Sequence, residues 1–155
     1  MLPEQNIAAR KKIKLTELLW FVLTGELVVF LAVMFVLQSA GSHKIQLSNA
    51  AVIQYIVYGS VIVLLPVVFK IYDRAKVKAA TLSTIEEKAD LYLKTKLIVF
   101  VLIEFVALII FVMQYIYPER AHLYAFGIVF IADLFVKSGK GQFLKDFTQN
   151  TGELL

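Results

Sequence analysis

Four long apolar runs, set apart by short polar stretches and one long basic one, give the chain its pattern. They cover about residues 15–38, 50–69, 97–117 and 121–136. A helix rises about 1.5 Å per residue, so some 20 apolar residues span the roughly 30 Å hydrocarbon core of a bilayer. The third run, LIVFVLIEFVALIIFVMQYIY, is apolar almost throughout and carries one carboxylate, Glu104. The second run holds no charge. The fourth has only 16 residues between Arg120 and Lys137, which implies local thinning or snorkelling at its ends. The pattern predicts an all-α, polytopic membrane protein with four transmembrane helices in a bundle.

The polar stretches refine this. The opening, MLPEQNIAARKKIK, is basic, and Ser39-Ala40-Gly41-Ser42 follows the first apolar run, as in a signal peptide. A signal peptide's apolar region is about 7–15 residues. The run here is longer, holds Glu26 near its centre and ends on Gln38, so it is expected to remain as a span. Pro66 lies one turn before Lys70 and cannot donate to the carbonyl of Ile62, which predicts a kink or a loosened last turn. Residues 70–96 are the longest polar segment and read as a cytoplasmic connection, helical from about residue 84. Ser83-Thr84-Ile85-Glu86 fits a capping box with Ser83 as N-cap. No Gly or Pro follows until Pro118, so one unbroken helix is expected to about residue 117, extending the third span into the cytoplasm. Glu86, Asp90 and Lys94 fall four apart as a solvated, partly paired stripe. In the polar tail, Phe143, Leu144 and Phe147 make a small apolar face suited to a membrane surface.

Composition excludes much. The 155 residues are 59% hydrophobic with no cysteine, against about 45–50% apolar in soluble domains. Thiolate catalysis, disulfides and zinc–thiolate sites are ruled out. The only histidines, His43 and His122, fall in short connections. No nucleophile–base pair, phosphate loop or metal-ligand spacing stands out, so an enzyme, a cofactor and a nucleic-acid partner are not expected. On a four-span topology, Arg10, Lys11, Lys12, Lys14, the seven basic residues of 70–96, Lys137, Lys140 and Lys145 share one side; only Lys44 and Arg120 lie on the other. The positive-inside rule puts that basic side, with both termini, in the cytoplasm.

The acids inside the runs are the candidate sites. Glu26 lies near the middle of span one, and Glu104 somewhat to the cytoplasmic side of the middle of span three. An ionised carboxylate in hydrocarbon costs several kcal/mol or more, so each should face the bundle interior, be protonated, or meet a donor. Facing each other, they could share one proton; alternatively both are neutral and hydrogen-bonded as helix–helix glue, with Thr24 and Ser60 as possible partners. Asp133 and Pro66 are weaker candidates, Asp133 because it can snorkel to the surface beside Lys137. Spans one and three share a basic lead-in, a mid-span Glu and endings Phe35-Val36-Leu37-Gln38 and Phe111-Val112-Met113-Gln114; two successive hairpins would form a parallel repeat.

Glu86-Glu87-Lys88-Ala89, Tyr92, Lys94-Thr95-Lys96-Leu97-Ile98 and Leu102-Ile103-Glu104-Phe105-Val106-Ala107-Leu108 resemble a family of small, uncharacterised four-helix bacterial inner-membrane proteins, over about residues 50–147. Phe105 stands where members often carry Gly. The resemblance implies a multi-pass inner-membrane protein and supplies no activity. Small multidrug transporters are similar in outline, with four spans and a Glu in the first that would correspond to Glu26, but they lack a connection like 70–96. The expected function is a non-catalytic accessory or subunit of a membrane assembly; the alternative is a small proton-coupled transporter or channel using Glu26 and Glu104. The expected partners are the lipid bilayer and a homo-oligomer or larger membrane complex.

Overall fold

Helix formation follows the apolar runs but does not stop where they stop. The computed structural model describes residues 4–39 and 50–148; the expected connection carrying His43 and Lys44 falls outside them. The described residues form α1 (Glu4–Ser39), α2 (Ala50–Ala80), α3 (Ile85–Ile116), α4 (Arg120–Phe135) and a short α5 (Lys140–Phe143) that continues into a π-helical turn, Leu144–Thr148. Three helical segments are long and apolar enough to cross a membrane: Ile7–Ser39, Gln54–Ala80 and Ile85–Ile116. α4 has 16 residues and is followed by a 70° bend into Lys140–Thr148; the pair counts as a fourth crossing only if it is taken as one span. At about 1.5 Å per residue the three long helices reach some 45–55 Å, so each projects well beyond a ~30 Å hydrocarbon core.

Two expectations are corrected here. α2 does not end near residue 69; it runs through Pro66 to Ala80. The segment KIYDRAKVKAA contains no Gly or Pro and is rich in strong helix formers. It also buries Ala75 and Ala79 against other helices, so propensity and packing agree. The helical projection therefore belongs to α1 and α2 as well as α3, and the turn between α2 and α3 is only residues 81–84. The capping box is one residue later than expected. Thr84 accepts from the Glu87 backbone N–H, and the Glu87 carboxylate accepts from the Thr84 backbone N–H, both in extended N-cap geometry. The sequence STIEE offers both registers. The later one leaves Glu86 free to meet Lys12 of α1 at 3.3 Å, while Asp90 meets the same ammonium at 2.8 Å. The expected stripe on α3 is thus paired to α1. The Lys12 hydrogen bond holds the Asp90 carboxyl below its usual range and raises Lys12 in turn.

α3 is the helix the others pack on. Lys88, Ala89, Tyr92, Thr95, Lys96, Val99, Phe100, Ile103, Val106, Ala107, Ile110 and Gln114 are buried along it, a stripe with helical spacing. α1 lies parallel to α3 along its length. Lys12 meets Glu86, Phe30 stacks on Phe111 at 4.6 Å, and Gln38 accepts from the Gln114 amide at 3.0 Å. The two Gln of the matched endings therefore bond to each other. Gln114 also accepts from the Glu119 backbone N–H at 3.2 Å, and the Gln54 amide donates to the Glu119 carboxylate. These contacts tie α1, α2, α3 and the turn before α4 together at the end away from the basic segments.

The core has two parts. Between the apolar runs, Leu27, Met34, Val57, Leu64, Ile103, Ile110, Phe126 and Val129 form an apolar side-chain cluster. At the basic end, Ala9, Ile13, Ala75, Ala79 and Ala89 surround Tyr92, Phe143 and Phe147. Small residues on three helices leave room there for the aromatic tail. Phe143 and Phe147 were expected to face the membrane surface; they are buried instead, edge-on to Tyr92 at 5.4 and 5.1 Å. Only Leu144 of that trio is exposed. The Tyr92 hydroxyl fixes the approach to the tail, accepting from the Gly139 N–H at 3.2 Å and lying 3.0 Å from the Ser138 hydroxyl.

Truncating a buried Phe typically costs about 3–5 kcal/mol, more than a segment of nine residues can lose and stay docked. Phe147→Ala should release residues 140–148, with trypsin cutting after Lys140 and Lys145 at least tenfold faster in detergent (~1.4 kcal/mol of opening free energy is tenfold) while helix content holds. Unchanged cleavage would show that the tail is held by something other than its aromatic contacts.

Candidate intramembrane carboxylate site

Glu26 and Glu104 line one groove of about 380 Å³ between α1 and α3, walled by Leu23, Phe30, Phe100, Val101 and Phe105. The parallel alignment of the two helices brings them together at one depth. The groove does not face the bundle interior. Glu26 is exposed and Glu104 half-buried, and the flanking Val101 and Phe105 are 66% and 61% exposed. The acids therefore look sideways from the outer surface of the α1–α3 pair, where an isolated protein would present them to lipid. One Glu104 oxygen, Oε1, is buried with no hydrogen-bond partner among the described residues.

Neither expected hydroxyl serves these acids. Ser60 donates to the carbonyl of Val57 on its own helix, at 2.7 Å. Thr24 donates to Asp133 Oδ2 at 2.6 Å. Asp133, expected to snorkel beside Lys137, is 1% exposed. The Trp20 indole N–H donates to the Asp133 backbone carbonyl at 3.3 Å. Lys137 turns away and lies over the Trp20 ring, 5.6 Å from its centroid. The reason is geometric. Asp133 lies on the same face of α4 as Phe126 and Val129, which is packed inward, and α1 brings a hydroxyl to it. Asp133 is thus a satisfied structural acid that locks α1 to α4, and the two glutamates are the acids left without such a lock. Pro66 stands in α2, away from the groove.

A second polar constellation was not visible in the sequence pattern. Lys96, the last residue before the third apolar run, is 1% exposed. Its ammonium donates to the carbonyls of Val136 at 2.7 Å and Lys137 at 3.3 Å, just past the end of α4. A cation there meets the negative end of the helix and carbonyls that have no helical partner. The Tyr72 and Tyr92 rings lie 4.7 and 5.4 Å from it. Tyr72 in turn donates to Asp146 at 2.8 Å, and burial raises its hydroxyl pKa further than that bond does. The available signal was phase: Tyr92, Lys96, Val99 and Ile103 repeat at helical spacing, which puts Lys96 on the buried face. Among the described residues no group of three or more His, Cys, Asp or Glu could hold a metal ion.

The Thr24–Asp133 bond is measurable. Side-chain hydrogen bonds between membrane helices average about 0.6 kcal/mol and reach about 1.7. A double-mutant cycle with Thr24→Val and Asp133→Leu, read by unfolding in detergent, should give a coupling in the upper part of that range. Additive effects would place Asp133 elsewhere.

Comparison with models of protein families, with curated proteins and with solved structures finds no match for this chain.

Proposed function

We propose that the chain is a non-catalytic subunit or accessory of a bacterial inner-membrane assembly. In this reading it inserts as a four-helix bundle with the basic end and both termini in the cytoplasm, and it docks through the α1–α3 groove. The carrying observation is that both glutamates open outward, with Glu104 Oε1 buried and unpartnered. In hydrocarbon an unmatched polar group is costly, so the groove is completed by something that brings a donor. A second copy offering the same face would bring four carboxylates together, which repel. A transmembrane helix carrying Lys, Arg or a hydrogen-bond donor matches the groove in charge and shape.

The test is site-specific photocrosslinking at native expression level. A crosslinker at Val101 or Phe105 should capture one stoichiometric membrane partner, and one at Ile62, which is 69% exposed on α2, should not. Glu104→Lys should reduce capture at least tenfold, the loss of roughly one charge-assisted contact of ~1.4 kcal/mol, while the protein still inserts. A lone homo-oligomer whose liposome proton flux vanishes in Glu104→Gln would overturn this reading in favour of the proton-coupled one.

A further inference from the structure

At the basic end a cavity of about 160 Å³ lies among α2, α3 and the end of α4. Water takes up roughly 30 Å³ per molecule in the liquid, so the cavity has room for a small polar group of several heavy atoms. Its walls divide sharply. Phe69 and Phe135 form an apolar lip, and Tyr72, Asp73, Lys76, Lys96 and Gln142 of α5 form the polar remainder. All three elements pass from apolar to basic sequence at this level: Phe69 to Lys70, Leu97 back to Lys96, and Val136 to Lys137. The cavity therefore sits where hydrocarbon gives way to headgroups. Phe69 and Phe135 are exposed on the apolar side, so the mouth opens toward acyl chains.

The charges in the cavity are ordered by depth. Lys96 is buried, and none of the ion pairs among the described residues includes it. An ammonium has three donors, and two are used by the α4 carbonyls. Lys76 is already shared between Asp73 at 3.8 Å and Asp146 at 3.7 Å. Asp73 is the outermost of these groups, with 74% of its side chain exposed. The inner end is thus a cation held by two carbonyls and two tyrosine rings with no carboxylate at ion-pair distance, and the rim is a carboxylate. The walls carry two lysines and one aspartate, and Asp146, off the wall, offsets Lys76 from outside, so little net pull is left on a purely anionic molecule. A zwitterion matches both ends, provided its anion sits deep and its cation outside.

We propose that this cavity is a binding site for a phospholipid with an amino headgroup, its phosphate against Lys96 and its ammonium against Asp73. In such a lipid the phosphate adjoins the acyl chains and the amine lies farther out, which is the order of charges in the cavity. The acyl chains would run down over Phe69 and Phe135. Occupied, the site joins α2 to the end of α4, which α3 holds through the same Lys96.

Native mass spectrometry of the purified full chain in detergent tests this, with phosphatidylethanolamine, phosphatidylglycerol and inorganic phosphate as probes. Wild type should retain one phosphatidylethanolamine about tenfold more than phosphatidylglycerol, as one matched charge contact worth ~1.4 kcal/mol gives, and inorganic phosphate should not displace it. Asp73→Asn, at an exposed position that leaves the fold alone, should remove the preference between the two lipids. Lys96→Met should abolish retention of both. Equal retention of the two lipids by wild type, preference for phosphatidylglycerol, displacement by free phosphate, or an unchanged preference in Asp73→Asn would each overturn the proposal.

Discussion

A polar group carried into hydrocarbon has no water to fall back on, and the placement of side chains in this protein follows from that constraint. Gln114 is closed by Gln38 and the Glu119 backbone, Asp133 by Thr24, and Lys96 by the open carbonyls beyond α4. Each closure joins different helices, so the polar groups fix which helices are neighbours while the apolar cluster supplies contact area. Without water outside, apolar burial drives association weakly, and specific polar contacts and close packing carry more of the selectivity. Among the described residues the buried His122 ring, near the turn into α4, departs from this rule by itself, and Glu26 and Glu104 depart from it together, in one groove, on the outer face. A shared departure at one place is what makes the groove a functional candidate.

The two ends of the molecule do different work. At the end away from the basic segments, the glutamines hold α1, α2 and α3 at the turn into α4. At the basic end, α1, α2 and α3 run on as helices and are joined by Lys12 to Glu86 and Asp90, by alanine contacts, and by the aromatic tail on Tyr92. Surface ion pairs contribute little on their own, so the Lys12 contacts serve more to set the α1–α3 register than to stabilise. That register is what brings Glu26 level with Glu104.

The helices, and the three among them that are long and apolar enough to cross a membrane, were legible because runs of some 20 apolar residues have few other uses. Ends and faces were less legible, for physical reasons. The polar segment 70–80 reads as a loop by hydropathy, yet its residues favour helix and its alanines pack. STIEE contains two capping frames, and only the tertiary pairing of Glu86 with Lys12 selects one. Asp133 beside Lys137 suits snorkelling in a lone helix; it turns inward because α1 supplies Thr24, a contact 109 residues away in sequence. Phe143 and Phe147 fit a membrane surface equally well until Tyr92 and four alanines are seen to form a receptacle. Spacing put Glu26 and Glu104 at one depth, but depth alone does not say whether they look into the bundle or out of it.

The most direct measurement is the reactivity of Glu104 toward a hydrophobic carbodiimide, which modifies protonated carboxyls from the lipid phase. It would be read by mass spectrometry on the chain purified alone and on native membranes at native expression. A groove that opens to lipid and is filled by a partner helix predicts modification of Glu104 in the purified chain and strong protection in native membranes. Equal modification in both, or none in either, would contradict an outward groove that another helix occupies.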